Sequence, residues 1–356
     1  MNAQNKNEEN KYYDSGNLKA TRIHQENHNK CEYIFYFENG NIKTTGYNLE
    51  YKKEGKAKLR KVGKWKYFYE DGNKKSEGEY AQGKKIGEWK YYYNDGTIKS
   101  KGSFRDNEEI DIWTFYHENG EVKCEGFYKE GKRTEEWKFY YESGKLKSIG
   151  DYTGGKNSGK WQYFHENGEK NREGILINSE KTGLWKFYNE KGELTTSGNY
   201  NNNVSEGLWT FRFIDKNSGE KGYYEEEFIN GKLSGFRKFY RSDKTLYATG
   251  KVVEKEKNVG EWKLYDKNEQ LLKIINYSNN VLSGRWITYY PNGKINQMGF
   301  YKNGIPFGEI ISYHENGKLY SMGKIENGLM HGEWKYYNEN GDYDKSVEYK
   351  EGKEVN

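Results

Sequence analysis

Proline, cysteine and aliphatic side chains are scarce in this chain of 356 residues. It holds only 2 Pro and 2 Cys, and only 33% of its residues are hydrophobic. Proline removes a backbone donor from a strand ladder, so its scarcity permits long, uninterrupted strand pairing. The shortage of aliphatic residues excludes the usual core of an α/β enzyme. Aromatic residues, at 17%, must form the core instead, because each ring buries a large area.

No sequence feature predicts a disulfide, a metal site or a membrane span. Cys31 and Cys124 lie far apart and show no metal-ligand spacing. The sequence has no run of 18 apolar residues, so we expect no transmembrane helix. Residues 1–11 are polar and lack the apolar segment of a signal peptide. We therefore expect a cytoplasmic protein that uses no cofactor.

Charge of either sign shows little excess. Asp, Glu, Lys and Arg make up 32% of the residues, but the signs nearly cancel and leave a formal net charge of +5. A nucleic-acid-binding domain usually carries a stronger and more clustered positive charge. The composition therefore disfavours nucleic acid as a partner.

What the sequence does contain is a repeat of 24 residues, marked by its tryptophans. All 10 Trp fall at one repeating position, which we call the Trp position. Glu9, Tyr33, Arg237 and Ile310 occupy it where Trp is missing. The predicted Trp positions are residues 9, 33, 65, 89, 113, 137, 161, 185, 209, 237, 262, 286, 310 and 334. Longer spacings indicate insertions within 52–60 and 214–220.

Each repeat has the pattern of a β-hairpin. In the repeat at Trp89, the strand 89–93 is followed by Asn94-Asp95-Gly96 and then by a return strand over 97–104. Asp-Gly tolerates the positive φ of a two-residue type I′ turn, which we predict here, and a polar loop leads to the next Trp position. A unit of 24 residues leaves no room for a crossover helix, so the sheet must be antiparallel.

Glycine and aromatic residues recur at fixed distances from the Trp position. The residue at +13 is usually Gly, as in Gly78, Gly102 and Gly126, and the residue at +15 is often aromatic. A Gly at a fixed place in a strand predicts a bend, a bulge, or room for a ring from the next hairpin.

Segments such as Gly183–Gly192, followed by Gly198-Asn199-Tyr200, resemble the variant MORN repeat of bacteria. The resemblance covers essentially the whole chain and implies a β-hairpin solenoid. Proteins of this kind are often called YwqK-type antitoxins of toxin–antitoxin systems. Eukaryotic MORN arrays, which are more distantly similar, are scaffolds connected with phospholipids and membrane junctions. Arg237 and Ile310 at the Trp position depart from the family pattern.

We therefore predict an all-β fold, an elongated antiparallel β-hairpin solenoid that forms a single twisted sheet of about fourteen repeats. Residues 1–356 are expected to form one repeat array, with flexible ends at 1–8 and 353–356. An isolated hairpin is marginal in water, so neighbouring repeats must stack to bury their rings.

The first candidate site is a column of lysines at +1, which we call the first lysine column. One interpretation is a row that binds an anionic partner. The alternative is a solvated face on which the lysines pair with glutamates near the turns, such as Glu70, Glu118, Glu142 and Glu166. The column consists of Lys66, Lys90, Lys138, Lys186, Lys238, Lys263 and Lys335.

The second candidate is a column of rings at +4, which we call the ring row. It consists of Tyr69, Tyr93, His117, Tyr141, His165, Tyr290 and His314. We interpret this row either as an exposed, partner-facing surface or as part of the core. The Trp position itself is predicted to be core and not a stacking platform for sugars or bases.

Two irregular segments are further candidates. They are Arg60–Gly63 with the spacer before it, and Ile214–Tyr224. Insertions in solenoids map to loops, which can carry specificity or be neutral.

No constellation of residues predicts catalysis. His117, His165 and His314 share one repeat position and are expected to lie several hairpins apart. The glycines follow the 24-residue period and form no phosphate-binding motif, and no His/Cys metal spacing occurs. We therefore expect that the protein is not an enzyme.

The favoured function is a non-catalytic repeat scaffold that binds a protein partner and acts as an antitoxin or immunity-like protein. The first alternative is a peripheral scaffold that binds anionic membrane lipid, or another polyanion, through the first lysine column. The second alternative is a glycan-binding aromatic surface. The sequence leaves open the partner's identity, the binding face of the sheet and the oligomeric state.

Overall fold

The computed structural model describes residues 8–24, 29–214, 219–253 and 257–355. Every regular element in these residues is a β-strand. The chain divides into two compact units, an N-terminal unit of residues 1–181 and 188–192 and a C-terminal unit of residues 182–187 and 193–356. Strand β15 (Glu180–Tyr188) crosses this division.

The N-terminal unit is an antiparallel meander in which each strand pairs with the next strand along the chain. Its strands are β1 (Glu8–Tyr12), β2 (Leu18–His24), β3 (Lys30–Tyr36), β4 (Ile42–Lys53), β5 (Lys56–Phe68), β6 (Lys74–Ala81), β7 (Lys84–Tyr92), β8 (Ile98–Arg105), β9 (Glu108–Tyr116), β10 (Val122–Lys129), β11 (Lys132–Tyr140), β12 (Leu146–Thr153), β13 (Lys156–Phe164) and β14 (Lys170–Ile177).

The C-terminal unit repeats this arrangement, except that β23 and β24 both pair with β22. Its strands are β16 (Leu194–Asn201), β17 (Val204–Ile214), β18 (Lys221–Ile229), β19 (Lys232–Arg241), β20 (Leu246–Val253), β21 (Lys257–Tyr265), β22 (Leu271–Ser278), β23 (Val281–Leu282), β24 (Gly284–Tyr289), β25 (Ile295–Lys302), β26 (Ile305–Tyr313), β27 (Leu319–Glu326), β28 (Leu329–Tyr337), β29 (Tyr343–Lys350) and β30 (Lys353–Glu354). The predicted all-β, antiparallel hairpin repeat is confirmed in both units.

The prediction of turn types was wrong, because the two kinds of turn have exchanged places. At Asn94-Asp95-Gly96, the amide of Tyr93 donates to the carbonyl of Thr97 at 2.8 Å and only Gly96 has a positive φ, of 88°. This is a three-residue loop closed by a glycine in the left-handed region. The two-residue turns with positive φ at both positions, as type I′ requires, join one repeat to the next. Asp106-Asn107, with φ of 54° and 75°, is one of them.

The glycine at +13 makes room for the next tryptophan, as one of the sequence interpretations predicted. A Cβ on Gly102 would lie closer than 3.0 Å to the indole of Trp113. The same relation holds between Gly78 and Trp89 and is repeated in both units. The indole Nε1 of Trp113 then donates to the carbonyl of Ser103 at 3.2 Å, so the buried ring has a hydrogen-bond partner.

The insertion near residues 52–60 lengthens a hairpin and does not form an irregular loop. Strands β4 and β5 have 12 and 13 residues and pair up to Lys53 and Lys56, across a turn at Glu54-Gly55. The expectation of a loop was therefore wrong for this segment, since the extra residues satisfy their backbone groups by pairing with each other. The insertion within Ile214–Tyr224 falls largely on residues 215–218, which lie outside the described residues.

The predicted flexible ends are described only in part. Residues 1–7 and 356 lie outside the described residues. Glu8 begins β1, and Lys353–Glu354 form β30, which pairs with β29.

Candidate functional site: the indole face

Within each unit the tryptophans share one face of the sheet, which we call the indole face. Successive residues of a strand point to opposite faces, so Trp89 and Tyr91 share the indole face while Lys90 points away. The tryptophans at the Trp position are all buried, and Tyr33 and Ile310 are buried in their place. The prediction that the Trp position is core is therefore confirmed. Glu9 is the exception, because it lies exposed on the first strand.

The indole of Trp89 packs among rings from its own repeat and from the repeat before it, and those of Trp113 and Trp137 do the same. Around Trp89, the ring of Tyr91 is stacked at 6.1 Å, while the edge-on rings of Tyr80 and Phe104 lie at 5.2 and 6.1 Å. Tyr91 itself stays half-buried, and burial raises the pKa of its hydroxyl. In the N-terminal unit the face is therefore a continuous aromatic layer whose rings at +2 remain partly open to solvent. In the C-terminal unit Leu264, Thr288 and Ser312 take the +2 position in three repeats.

Clefts recur on the indole face of the N-terminal unit. A cleft of about 350 Å³ is lined by Tyr91 and Trp113, with Lys75 and Lys99 at its turn side. One repeat earlier, Tyr67 and the equivalent residues line a cleft of about 390 Å³. The clefts are open grooves of a size that fits side chains of a partner.

Cations also sit on the loop side of this face, four residues before the Trp position. Lys61 Nζ lies 4.4 Å from the ring centre of Trp65, Lys85 Nζ lies 4.4 Å from that of Trp89, and Arg133 lies 4.2 Å from that of Trp137. Burial lowers the pKa of the Lys61 and Lys85 amines. Glu109 takes this position at Trp113, so the loop-side series is interrupted there.

The first lysine column lies on the opposite face of the sheet, and carboxylates accompany it. Lys90 lies 3.5 Å from Glu88 on its own strand, and Lys138 lies 3.4 Å from Glu136. Across the strands, Glu77 is paired between Lys66 and Lys90. In the C-terminal unit Lys263 and Lys335 also have glutamates two residues before them at 3.5 and 3.6 Å, and Lys238 is paired across the strands with Glu225. Lys186 follows Trp185 on β15, at the same +1 position as the other lysines of the column.

One sequence interpretation predicted that these lysines pair with glutamates near the turns. The structure shows different glutamates beside them. They lie within the strands, where the pleat puts residues i and i+2 on one face. Pairing of this kind reduces the free positive charge of the column. Fewer lysines of the column are therefore available to bind an anionic partner than their number suggests.

The ring row links neighbouring turns. Its members are all half-buried, and each bonds to the backbone carbonyl of the residue at +3 in the next repeat. The bonds run from Tyr69 to Tyr92 (2.9 Å), Tyr93 to Tyr116 (2.8 Å), His117 to Tyr140 (3.2 Å), Tyr141 to Phe164 (2.7 Å), His165 to Tyr188 (3.1 Å), Tyr290 to Tyr313 (2.8 Å) and His314 to Tyr337 (2.9 Å). The column alternates between Tyr and His because both reach this carbonyl. Only the ring surfaces, and not the polar ends, are left for a partner.

Sequence reasoning missed a second series of lysines, which we call the turn-side lysine row. It lies at +10 and consists of Lys19, Lys43, Lys75, Lys99, Lys123 and Lys147. All six are exposed, and they stand at the turn side of the indole face. The signal in the sequence was its asymmetry, since every repeat up to Trp137 carries this lysine and no later repeat does.

Sequence reasoning also missed a cluster at the start of the chain. Cys31 Sγ lies 3.5 Å from His24 Nδ1, and His24 Nε2 lies 3.3 Å from a carboxylate oxygen of Glu9. Cys31 is only 2% exposed, so a substrate carbonyl cannot approach its sulfur. The cluster therefore places a thiol, an imidazole and a carboxylate in the sequence found in cysteine-dependent active sites, but the thiol is not accessible to a substrate.

Neither a candidate metal site nor a membrane-spanning helix is found in the described part of the chain. No group of three or more His, Cys, Asp or Glu there is arranged to hold a metal ion. No helix in those residues is long and apolar enough to cross a membrane.

The repeat matches a known family along more than half of the chain. The MORN repeat variant matches nine segments, residues 61–82, 85–106, 112–130, 136–153, 181–202, 258–279, 282–303, 308–327 and 330–351. The chain belongs to the MORN repeat variant family. Segments at Trp161, Trp209 and Arg237 fall outside the matched ranges. The predicted resemblance to MORN repeats is confirmed.

The similarity of this MORN repeat protein to solved structures is weak. No curated protein matches it. Two crystal structures of TcdB2–TccC3, one of them TcdB2–TccC3–TEV, are each similar at 12% identity and a TM-score of 0.19. The match covers 96% of this chain but only 22% of theirs. A porin-like protein from Bacteroides uniformis matches at 7% identity and a TM-score of 0.11, over 91% of this chain and 92% of its own.

Proposed function

We propose that this MORN repeat protein is a non-catalytic scaffold that binds a protein partner through its indole face. The observation that carries the proposal is the half-open aromatic layer. In each unit the strands form one meander, and among the described residues there is no helix to cover the rings. An apolar sheet face is ordinarily buried against a second layer, so this face is suited to a partner.

The clefts support a protein partner over a small substrate. They recur in successive repeats of the N-terminal unit, with aromatic floors and with lysines at the turn side, and so present the same features more than once. Repeat proteins use extended surfaces of this kind to bind other proteins. The antitoxin or immunity-like role belongs to the same proposal and rests on the resemblance described above. A cytoplasmic location is proposed with it, on the sequence expectation alone.

Site-specific photo-crosslinking in the native host tests the proposal. A benzophenone amino acid at Tyr91 places the probe on the indole face, in the cleft at Trp113. The same amino acid at Tyr116 is the matched control, because this aromatic residue of the same unit points to the opposite face. We expect a defined protein adduct at position 91 that is much weaker at position 116, and binding of that protein by the purified chain.

Equal adducts at both positions, or none above a sample without irradiation, would contradict the proposal. Flotation with anionic vesicles at low and high salt tests the lipid alternative. We expect little binding through the first lysine column, because strand glutamates accompany it. Salt-sensitive flotation that K66Q/K90Q/K138Q abolishes would favour the lipid alternative instead.

A further inference from the structure

The turn-side lysine row owes its position to a repeated irregularity in strand pairing. In the repeat at Trp89, Tyr91 pairs with Ser100 and Tyr92 pairs with Ile98, so Lys99 is the extra residue of a β-bulge. A bulge re-aims a side chain that strict alternation would send to the other face. The other five lysines of the row are the extra residues of equivalent bulges.

These lysines are anchored but not neutralised. Lys99 Nζ lies 5.3 Å from the ring centre of Tyr93, and Lys75 and Lys147 lie 5.4 and 5.2 Å from those of Tyr69 and Tyr141. Among the described residues, no carboxylate oxygen lies within 4.0 Å of the amines of the row. The first lysine column differs in this respect, since four of its members have a glutamate at 3.4–3.6 Å.

The row is confined to the N-terminal unit, although the bulge continues along the chain. In the C-terminal unit the equivalent bulge residues are Tyr247, Leu272, Asn296, Tyr320 and Asp344. None of these carries a positive charge. A bulge that served only the backbone would not need lysine, so the charge at +10 is a local property of one surface.

We propose that the indole face of the N-terminal unit binds an extended acidic segment of a protein, whose carboxylates pair with the turn-side lysine row. This inference rests on the proposed function and names the chemistry of the partner. The aromatic floor accommodates the apolar part of the segment, and the exposed amines receive its negative charges.

The spacing of the row favours a peptide over a nucleic acid. Successive lysines are two strands apart, which is about 10 Å at the usual strand separation. A polyproline II segment advances about 9 Å in three residues. Carboxylates at every third residue would therefore have nearly the same spacing as the lysines of the row. Aromatic grooves are a common docking site for such segments. Duplex DNA carries a charge about every 1.7 Å, which is far denser than one lysine per 10 Å.

Fluorescence anisotropy with synthetic probes and the purified full chain provides the test. The probe is a labelled peptide of six Glu-Pro-Pro repeats, and the uncharged control has six Gln-Pro-Pro repeats. A single-stranded oligothymidylate of 18 nucleotides and heparin serve as other polyanions. We expect the Glu peptide to bind, the Gln peptide not to bind, and the Glu peptide to be released as salt increases.

Two charge-matched triple variants locate the binding face. K75Q/K99Q/K147Q removes three lysines of the turn-side row, and K66Q/K90Q/K138Q removes three of the first lysine column in the same unit. We expect the first variant to weaken binding of the Glu peptide on the order of tenfold, from three exposed charge contacts, and the second to change it less than about twofold. Circular dichroism checks that both variants stay folded.

Equal weakening by both triple variants, or binding of the oligonucleotide or heparin as tightly as the Glu peptide, would overturn the proposal. Failure of the peptide to bind would also overturn it. If a protein is still crosslinked at position 91, the proposed scaffold function survives that failure. If the peptide binds but no protein is crosslinked in cells, the scaffold function is contradicted, while the binding of acidic peptides by this surface is still supported.

Discussion

Gly102 and Trp113 are fitted to each other, because the indole occupies the space where any other residue at 102 would place its Cβ. The two residues come from adjacent strands of successive repeats. The backbone of Gly102 also pairs with Trp89 of its own repeat. Gly102 therefore contacts two tryptophans, and the same Gly–Trp relation joins most of the hairpins to the next one.

Gly102→Ala should destabilise the junction between β8 and β9 by about 3 kcal/mol, because the added methyl group overpacks a filled site. In a repeat array the damage should stay local. Amide hydrogen exchange should be faster in β7 to β9 and unchanged in β26 to β28. Ser103→Ala, one residue along, is the control and should have little effect. A uniform gain in exchange along the chain would contradict the picture of stacked repeats.

Arg237 and Glu226 replace the Trp–Gly pair with a buried ion pair. Both are nearly inaccessible, and their side chains are joined by a salt bridge. R237M should destabilise the C-terminal unit by about 3–5 kcal/mol, because it leaves the Glu226 carboxylate buried without its partner. E226G/R237W restores the pair found elsewhere, and it should recover most or all of the lost stability. Urea unfolding checks both, and a double variant no more stable than R237M would refute the equivalence.

The ring row should tolerate exchange between Tyr and His but not loss of the donor. Tyr141→Phe removes the bond to the carbonyl of Phe164 and should cost about 1 kcal/mol of local stability. Tyr141→His should cost less, because His117 and His165 make the same bond in their repeats. Hydrogen exchange near residues 141–145 and 164–169 measures both. A loss from Tyr141→His as large as that from Tyr141→Phe, or larger, would contradict the idea that the donor at this position is what stabilises the turn.

Glu173 should give the N-terminal unit a pH-dependent stability. Burial alone would raise its pKa, but hydrogen bonds from Tyr188, Lys170 and Gln162 lower it to about 2 from 4.5. The folded carboxylate holds its charge at a lower pH than the unfolded one. Its contribution is therefore complete above pH 4.5 and is lost as pH falls toward about 2.

E173Q measures this contribution. We expect the variant to be about 1 kcal/mol less stable than the wild type at pH 7, a value discounted for solvent screening, and equal to it near pH 2. Tyr188→Phe removes the hydroxyl that donates to Glu173 at 2.8 Å, so it should shrink the same difference. Denaturant unfolding at several pH values provides the readout. A gap that is constant from pH 7 to pH 2 would be inconsistent with the lowered pKa.

Much of the fold follows from short-range features of the sequence. The 24-residue spacing of residues such as Trp89 and Trp113 predicted repeated antiparallel hairpins, and it placed these rings in the core. Gly102 at +13 predicted a place for a neighbouring ring. These features depend only on the period and on the residue types, so no long-range contact had to be known.

Register and bulges were beyond the sequence, and they decide which side chains meet. A shift of one residue moves a side chain to the other face of a sheet. The bulge at Lys99 brings this lysine to the indole face, and no local pattern predicts that position. The partner of Lys90 could not be predicted from the sequence either. It is Glu88 on the same strand and not a glutamate near a turn.

The sequence by itself determined the period, the hairpin and the aromatic core, since each follows from residues within about 24 positions of one another. Only the tertiary structure decided which face each lysine occupies, that Tyr141 is held by a carbonyl 23 residues away, and that Arg237 is balanced by Glu226. The physical reason is that strand pairing, with its bulges, joins residues whose partners are chosen by register and not by proximity along the chain.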